Sequence, residues 1–588
     1  MRAGPAFGLK REGPGPTMGG LHPAPRRRLP LALLCAFALV LPQARSVAVG
    51  PIGEDAVPTV IVSTVAEPVA PGRFSPTWDS LSQYQVPEWF RDAKFGIWEH
   101  WGAQCEPEQG DWYARSMYLE GSADYLWGVA HYGHPSESGF KDVIQRWKAE
   151  NWDPEKLVAL YKRAGAQYFF ALANHCDNFD NWDSAYQPWN SVKVGPHRDL
   201  IGGWARAAKA AGLPFGVSVH ASHAWTWMEP AQGADVRGAK AGVAYDGNLT
   251  RADGKGHWWE GLDPQDLYAQ RHPRSSGSDD PDREIGDQWN WSNGASVPDQ
   301  AYCQKFYNRT MDLINRYHPD LLYFDDTALP LWPVSDAGLK IAAHFYNSNM
   351  AAHGGELRAV LFGKILDEPE RRALVWDIER GVPAQKLPFA WQTDTCIGNW
   401  HYKRSLYEED RYKSARVVIQ MLADIVSKNG DLLLNIPVRS DGTLDDKEER
   451  ILGGIADWMD VNRECIFGTR PWKIFGEGPA SDGASLSAQG FNEGLGKPFS
   501  PQDVRFTTRA GFLYAIVMAD PGAAAVTITS LSSHSAELEG LTVSSVSLLG
   551  LHEPLRWTQD GSGLVVSLPR ARPAPGTGIY VLRIGGVL

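Results

Sequence analysis

The stretch Leu321-Leu322-Tyr323-Phe324-Asp325-Asp326 decides the fold, because an apolar run of β type ends abruptly in two carboxylates. Segments with helical periodicity flank it, at 299–317 and 336–351, so the run is predicted to be one strand of an alternating α/β chain. In barrels of parallel strands the catalytic groups lie at the carboxyl ends of the strands. Asp325 is therefore the first candidate for a catalytic carboxylate. A single Asp at a strand end can also merely cap the next helix.

Seven further runs of the same kind end on polar or ionisable residues. They are FGIWEHWG (95–102), QYFFALANHCDNF (167–179), FGVSVHASH (215–223), VLFGKILDE (360–368), ALVWDIERG (373–381), FAWQTDT (389–395) and DLLLNIP (431–437). Helical segments separate most of them, at 200–211, 411–428 and 445–462 among others, and Asp153-Pro154 supplies a cap and a first-turn proline for another. Eight strand-then-helix units over about 380 residues predict a (β/α)8 TIM-type barrel.

The end of the chain has a different pattern. From about 473 to 588, short β-type runs such as FLYAIVMAD, SVSLLG and GIYVLRI are separated by Gly, Pro and Ser, which predicts a C-terminal antiparallel β-sandwich. The catalytic barrel is expected over 78–472, after an N-terminal linker at 49–77. An insertion at 226–298 is expected to be a partly ordered cover that shapes the pocket. Its charged run 275–284 is expected to be a solvent-exposed surface segment.

The N-terminus has the pattern of a secretory signal. Arg26, Arg27 and Arg28 precede an apolar stretch from 29 to 41, and Ser46-Val47-Ala48 supplies the small residues of a cleavage site. The apolar stretch is too short to span a bilayer, and no later run approaches the roughly 20 residues required. We expect residues 1–48 to be a signal peptide and the mature protein to be exported, periplasmic or extracellular, with no membrane span.

Charge and cysteine content exclude several classes of partner. The chain has 57 Lys and Arg residues and 69 Asp and Glu residues. The first 48 residues contain seven of the basic residues and one of the acidic residues. The remaining chain therefore has 50 basic and 68 acidic residues and a net charge of −18. Such an excess of negative charge disfavours nucleic acid. The five cysteines beyond the signal, Cys105, Cys176, Cys303, Cys396 and Cys465, have no metal-type spacing, and their odd number leaves at least one free thiol. We expect neither a metal nor a cofactor.

Aromatic residues point to a sugar site. The chain has 24 tryptophans, many of them near the predicted strand ends, and aromatic rings fill any core. Sugar rings, however, expose flat patches of C–H between their hydroxyls, and aromatic faces beside His, Asn and Asp side chains suit a neutral sugar. A phosphate loop of the type G-x-x-x-x-G-K is missing from the sequence.

Eight ordered motifs resemble the α-L-fucosidases of glycoside hydrolase family 29, collinearly from about 78 to 475. They are WFRDAKFGIWEHWG (89–102), DWYARSMY (111–118), NHCDNFDNWDS (174–184), VGPHRDLIG (194–202), PDLLYFDD (319–326), WQTDTCIGNWHY (391–402), VSKNGDLLLNIPVRSDGTL (426–444) and VNRECIFGTRPW (461–472). The resemblance implies an exo-acting retaining α-L-fucosidase that removes terminal α-L-fucosyl residues from glycans. Its implied partner is a fucosylated oligosaccharide or glycoconjugate.

The resemblance also implies the catalytic pair. Asp325 matches the nucleophile, although Tyr323 stands where the family often has Trp. A retaining mechanism needs a second carboxyl group roughly 5 to 5.5 Å away. Glu379, in D-I-E-R-G-V-P, is the candidate acid/base because its spacing to the following motifs resembles the acid/base segment of related enzymes; Glu260 in the insertion is the reserve candidate. We expect Asp325 to stay ionised and Glu379 to have a raised pKa.

Sugar-binding residues follow from the same motifs. The resemblance implies hydroxyl contacts from His100, Asp111, Trp112 and His175, and Tyr323 and Trp391 are also expected to contact the substrate.

The roles of three residues are considered separately, because they depart from the family motif or could be structural. Many relatives read H-H-D where this chain reads His175-Cys176-Asp177, and because a thiol is a poor donor, Cys176 is expected to pack while Asn174 or His220 supplies the missing contact. His223 is as readily a buried structural histidine as a ligand. Asp326 is expected to orient its neighbours, since two ionised carboxylates in contact would force one to protonate.

Two other functions remain open at this point. An enzyme with the same machinery could accept α-L-galactosides, because a hydrophobic pocket rejects an added hydroxyl by only about 10²-fold. A sugar-binding barrel without catalysis is the third reading, and the presence of both candidate carboxylates disfavours it.

Overall fold

The computed structural model describes residues 56–278, 291, 294–481, 493, 496–522, 525–570 and 576–588. The expected signal peptide lies outside the described residues, as does the charged run beyond position 278. Among the helices of the described residues, none combines the length and the apolar character needed to cross a bilayer.

Eight parallel strands close into a barrel in their order along the chain. Their bounds are β1 Phe95–Glu99, β2 Tyr168–Asn174, β3 Phe215–Val219, β4 Leu321–Phe324, β5 Val360–Gly363, β6 Val375–Glu379, β7 Trp391–Cys396 and β8 Gly430–Asn435. The barrel closes where β1 pairs with β8, with Trp98 opposite Asn435. The strands are buried at nearly every position, as a parallel sheet covered by helices requires. The predicted (β/α)8 barrel is confirmed.

Helices surround this barrel and connect most of its strands; β5 leads to β6 through the 3-10 turn Glu370–Arg372, and residues 380–390 join β6 to β7 without a helix. In the described residues they are α1 Trp78–Leu81, α2 Glu88–Ala93, α3 Tyr113–Ser116, α4 Ala123–His131, α5 Phe140–Arg146, α6 Pro154–Ala164, α7 Leu200–Ala211, α8 Ala224–Trp227, α9 Pro264–Leu267, α10 Gln300–Tyr317, α11 Ala337–Ala352, α12 Arg404–Glu408, α13 Ala415–Ser427 and α14 Asp446–Asn462. Local signals set their starts: Asp153 caps α6 ahead of Pro154, Asp299 caps α10, and Asp445 forms a capping box with Glu448 at α14.

The C-terminal part consists of two antiparallel sheets. One contains, in spatial order, β13 Ser545–Leu548, β16 Tyr580–Gly585, β11 Phe512–Val517, β10 Val504–Arg509 and β9 Arg470–Glu477; the other contains β12 Val526–Ile528, β15 Gly563–Ser567 and β14 Arg556–Asp560. Both sheets contribute to one apolar core, which includes Phe506 and Leu564. The predicted β-sandwich is confirmed. It joins the barrel through α13, where the buried Arg505 pairs with Asp424.

The insertion is anchored to the barrel by a buried carboxylate. Asp246 is 1 % exposed and accepts hydrogen bonds from the Tyr118 hydroxyl at 2.7 Å, the Lys141 ammonium at 3.1 Å and the Tyr268 hydroxyl. The described part of the insertion, 226–278, folds into short helices around this point. It thus forms an ordered layer against α5.

All five cysteines of the described residues carry free, buried thiols. The odd number of cysteines had predicted at least one free thiol.

Candidate active site

Four ionisable side chains meet at the carboxyl ends of β4 to β7. Asp325 follows β4, Lys364 follows β5, Glu379 ends β6, and Asp394 on β7 lies opposite Glu379 in the sheet register. Because neighbouring parallel strands end at the same edge of the barrel, short strands deliver all four groups to one place.

Asp325 lies between two positively polarised partners. Its carboxylate is 2.8 Å from the Lys364 ammonium and 3.0 Å from the His220 Nδ1, and its side chain is 10 % exposed. Burial alone would raise the pKa of Asp325, but the charge of Lys364 and the hydrogen bond from His220 outweigh it and lower the pKa below its usual range. The group is therefore held ionised, as a nucleophile requires.

Glu379 has the opposite tendency. Its side chain is 22 % exposed and accepts a hydrogen bond from Lys364 at 2.6 Å. Burial, with the charges of Asp394 and Asp325, raises the pKa of Glu379 to about 7, although Lys364 acts to lower it. A carboxyl group with such a pKa can give up a proton and recover it near neutral pH.

The shared ammonium limits the separation of the two carboxylates. One oxygen of Asp325 lies 2.8 Å from the Lys364 Nζ, and one oxygen of Glu379 lies 2.6 Å from it. These oxygens are therefore no more than about 5.4 Å apart, which lies below the roughly 6.5 Å or more of inverting glycosidases and within the range open to retaining ones.

Tyr323 supports this group from behind. It is fully buried, and its hydroxyl donates to Asp394 at 3.0 Å and contacts Asp377 at 3.4 Å. The Gln392 amide donates to the other oxygen of Asp377 at 2.7 Å, and burial together with Asp394 raises the pKa of Asp377 well above its usual value. Tyr323 thus orients carboxylates, whereas the sequence had suggested that it contacts the sugar.

Four imidazoles form the adjoining wall. The ring centroid of His100 lies 5.1 Å from that of His175, 5.0 Å from that of His220 and 4.8 Å from that of His401. Burial lowers the pKa of His100, His175 and His220, so these rings are neutral near pH 7. A neutral imidazole has one donor and one acceptor, which suits sugar hydroxyls.

Further predicted residues position this wall. Asp111 accepts a hydrogen bond from the backbone N–H of His401 at 2.8 Å, and Trp112 follows it in a left-handed conformation, with φ of 64°. The Asn435 side chain accepts from the His100 N–H at 2.8 Å and donates to the Trp400 carbonyl at 2.9 Å. The motif residues thus come together around His100 and His401.

Asn174 and Cys176 are both engaged with the backbone at His220. The Asn174 amide oxygen accepts from the N–H groups of His220 and Ala221, each at 3.2 Å, and its amide nitrogen donates to Asp180 at 3.0 Å. The Cys176 thiol contacts the His220 carbonyl at 3.3 Å and is buried. Of the two candidates for the missing hydroxyl contact, His220 keeps an Nε2 that has no partner among the described residues, whereas the amide oxygen and nitrogen of Asn174 are both engaged.

The structure does not bring Trp391 or Glu260 to this place. Trp391 begins β7, about 10 Å along the strand from Asp394; it is fully buried and donates to the Lys428 carbonyl at 3.0 Å. Glu260 is exposed and accepts from the backbone N–H of Gly256 at 3.1 Å. The expectation that Trp391 contacts substrate is wrong because the residue lies at the opposite end of its strand, and the reserve acid Glu260 serves a surface turn.

Asp326 is a buried support. It accepts hydrogen bonds from the Ser222 hydroxyl at 2.6 Å, from the His223 ring at 3.1 Å and from the Thr327 N–H at 2.7 Å. The His223 ring stacks on Trp291 with a centroid distance of 5.1 Å. Both residues therefore fix the loops behind Asp325 and His220.

Comparison with known proteins identifies the family. The family model described as alpha-L-fucosidase matches residues 61–464, and the alpha-L-fucosidase C-terminal domain matches residues 497–585. The chain belongs to the α-L-fucosidase family. The family expected from the sequence motifs is confirmed, and with it the assignment of the chain as a glycoside hydrolase.

Similar members of the α-L-fucosidase family extend over most of the chain. The tissue alpha-L-fucosidase of Rattus norvegicus is 24 % identical over 532 residues, which cover 87 % of this chain and 92 % of that protein. The alpha-L-fucosidase of Branchiostoma floridae is also 24 % identical, with 88 % and 96 % covered. A solved Thermotoga maritima alpha-L-fucosynthase matches with a TM-score of 0.64 at 24 % identity over 87 % of this chain and 99 % of its own, which supports the fold.

Two residues of this fucosidase site are not predicted by the sequence patterns. Lys364 is the first residue after β5, whereas the sequence pattern indicates Asp367 as the polar residue that ends this run. His401 lies within the motif WQTDTCIGNWHY without having been given a role. Lys364 follows the run Val360-Leu361-Phe362-Gly363 directly, but only the end of β5 at Gly363 distinguishes it from the later polar residue Asp367.

Proposed function

We propose that this α-L-fucosidase is exo-acting and retaining, with Asp325 as nucleophile and Glu379 as acid/base. The observation that carries the proposal is the shared Lys364 ammonium, which keeps one oxygen of each carboxyl group within about 5.4 Å of the other. A catalytic water cannot stand between groups so close, whereas a sugar carbon attacked by one of them can.

The first step forms a glycosyl-enzyme. The ionised Asp325 attacks the anomeric carbon, and a C–O bond forms between them. The bond from that carbon to the leaving oxygen breaks with its electron pair on the oxygen, which takes the proton of Glu379. A pKa of about 7 leaves Glu379 protonated for this step over the acidic to neutral range.

The second step reverses the roles. Glu379, now a carboxylate, removes a proton from an incoming water, whose oxygen attacks the anomeric carbon. The ester bond to Asp325 breaks and the carboxylate returns. Two displacements at one carbon restore the original configuration.

The sugar site is enclosed, which is the ground for the exo-acting part of the proposal. His100 and His175 are each 5 % exposed and His220 is 1 % exposed. Their ring nitrogens, with Asp111 nearby, are proposed to bind the hydroxyls of a single terminal sugar. The Trp98 and Trp400 rings, with centroids 4.7 and 5.6 Å from that of His100, add apolar faces to this wall. The substrate class is a fucosylated oligosaccharide or glycoconjugate.

The deciding experiment is hydrolysis of 4-nitrophenyl α-L-fucoside beside the α-L-galactoside. We expect the fucoside to be cleaved, the first-formed product seen by NMR to be the α-anomer, and Asp325→Ala to abolish cleavage while the surface variant Glu260→Ala retains it. A β-anomer as first product would refute the retaining mechanism. Preferential cleavage of the galactoside would instead assign the α-L-galactosidase activity.

The export of the protein belongs to the same proposal. Residues 1–48 are proposed to direct secretion and to be removed, on the ground of the Arg triplet, the apolar stretch and the small residues at 46–48. Expression of the full sequence with N-terminal sequencing of the exported product tests this. A mature N-terminus near position 49 is expected, and retention of the protein in the cell with an intact N-terminus would refute it.

A further inference from the structure

The imidazoles of His100, His175 and His220 follow three consecutive strands, β1 to β3, and meet at one point. One ring nitrogen of each lies within 4.8 Å of the other two. An ion at the centre of such a triangle would lie no more than about 2.8 Å from each nitrogen, so inward movements of about 0.7 Å would reach the 2.0 to 2.1 Å of Zn–N bonds. Local spacing could not reveal this set, because more than 40 residues separate each histidine from the next.

Two of the rings already present lone pairs. His220 donates through Nδ1 to Asp325 at 3.0 Å, which leaves its Nε2 without a partner among the described residues. A carboxylate on one ring nitrogen is the support that metal-binding histidines commonly have on the other. Neither ring nitrogen of His100 has a partner in the described part of the chain, so this ring can turn toward an ion without losing a hydrogen bond.

The third ring needs one adjustment. His175 Nδ1 lies 2.9 Å from the Gln104 amide nitrogen, and the Gln104 oxygen accepts from the Ala114 N–H at 3.3 Å. For His175 to bind an ion through Nε2, its Nδ1 must carry the proton and the Gln104 amide must turn over to accept it. The turn replaces the hydrogen bond between Gln104 and His175 by one in the opposite direction and gives up the bond from the Ala114 N–H, so its net cost is one long hydrogen bond.

We propose that His100, His175 and His220 form a binding site for a first-row divalent transition-metal ion, best matched by Zn²⁺, that occupies the pocket in competition with the terminal sugar. Three neutral imidazoles with an open fourth position suit Zn²⁺, Co²⁺, Ni²⁺ and Cu²⁺, and do not suit Mg²⁺ or Ca²⁺, which prefer oxygen ligands. The competition with sugar rests on the proposed function, whereas the metal site itself does not.

Titration of the full chain with Co²⁺, followed by its visible absorption, measures the site without any substrate. We expect one Co²⁺ per chain with the spectrum of a nitrogen-bound ion, displacement by Zn²⁺, and weaker apparent binding when L-fucose is added. Zn²⁺ should also inhibit fucoside hydrolysis competitively. A protein that binds Co²⁺ in this way but cleaves no fucoside would retain the metal site and lose the proposed activity, so the two failures are separable.

Two variants remove one ligand each and differ in what else they disturb. His220→Asn keeps a side-chain amide that can donate to Asp325 but lacks Nε2, and His100→Gln breaks no side-chain hydrogen bond of the protein. Each should weaken Co²⁺ binding at least about tenfold, since even the loss of a supporting partner costs that much. His353→Gln is the matched control, because His353 directly follows α11 and its ring contacts the Asn349 carbonyl at 2.9 Å. The His353→Gln variant should bind Co²⁺ as the wild type does.

Three results would overturn the assignment. The first is no Co²⁺ binding at millimolar concentration. The second is equal affinity in wild type, His220→Asn and His100→Gln, or loss of binding in His353→Gln. The third is a thiolate-to-cobalt charge-transfer band, which would assign the ion to a cysteine such as Cys176.

Discussion

Lys364 donates a hydrogen bond to Glu379 at 2.6 Å. The same ammonium lies 2.8 Å from Asp325, so one buried cation contacts both carboxyl groups of the reaction. Its effect on the two differs because their surroundings differ: the pKa of Asp325 is lowered with the help of His220, whereas burial and neighbouring carboxylates keep that of Glu379 raised. Below about pH 7 the site thus holds one ionised and one protonated carboxyl group side by side.

Replacing the shared cation should shift the whole pH profile. Lys364 lowers the pKa of both Asp325 and Glu379, so Lys364→Gln should move both limbs of the kcat/KM profile to higher pH and reduce kcat by on the order of 10²-fold. The control is Lys340→Gln, since Lys340 pairs with Asp336 on α11. A Lys364→Gln profile that coincides with the wild-type profile would show that the lysine is only structural.

Activity should fall as pH rises through about 7. Glu379 must be protonated to donate, and its pKa is about 7, so kcat/KM should be at its plateau below this value and decline by about tenfold per pH unit above it. Asp325 must be ionised, and its lowered pKa places the acid limb below the usual carboxyl range near 4. The profile of 4-nitrophenyl α-L-fucoside hydrolysis measures both limbs, and an alkaline limb that persists in Glu379→Gln would assign it to another group.

Azide should distinguish the two carboxylates by the anomer formed. In Asp325→Ala, azide can enter the space of the lost side chain and attack from that face, which gives the β-fucosyl azide. In Glu379→Ala, a fucoside whose leaving group needs no protonation still forms the glycosyl-enzyme, and azide then gives the α-fucosyl azide. NMR of the products reads the result, with Glu260→Ala as a control that forms neither azide. The same anomer from both variants would contradict the assigned roles.

Trp391 and Trp400 should differ in what they affect. Trp391→Phe removes a buried hydrogen bond to the Lys428 carbonyl and should lower the free energy of unfolding by about 1 to 3 kcal/mol while KM stays unchanged. Trp400 packs against His100 with a centroid distance of 5.6 Å, so Trp400→Phe should raise KM. Denaturant unfolding and steady-state kinetics on both variants measure these effects. A raised KM in Trp391→Phe but not in Trp400→Phe would contradict the roles assigned to the two residues.

The barrel was predictable because each strand is a short apolar run between segments of helical periodicity. The pair Asp325 and Glu379 followed from strand ends and motif spacing. Lys364 did not, because the polar residue chosen for that run was Asp367, and only the actual end of β5 at Gly363 singles out the residue after it. The prediction that Trp391 contacts substrate was wrong for a related reason. A sequence motif indicates which strand a residue belongs to, but not how far the residue lies from the carboxyl end of that strand. Tyr323 meets side chains of β6 and β7, and Asn174 meets the backbone after β3, so no local pattern contains these partners.

The Asn435 side chain closes the seam between the first and last strands, bonding to His100 across 335 positions of the chain. During synthesis β1 leaves the ribosome long before β8. The hydrogen bond that holds His100 can therefore form only after the final strand has been made. We therefore expect the pocket to be completed late in folding, and a nascent chain that has not yet exposed Asn435 should be unable to retain an L-fucose-based affinity ligand, however much of the barrel has already formed.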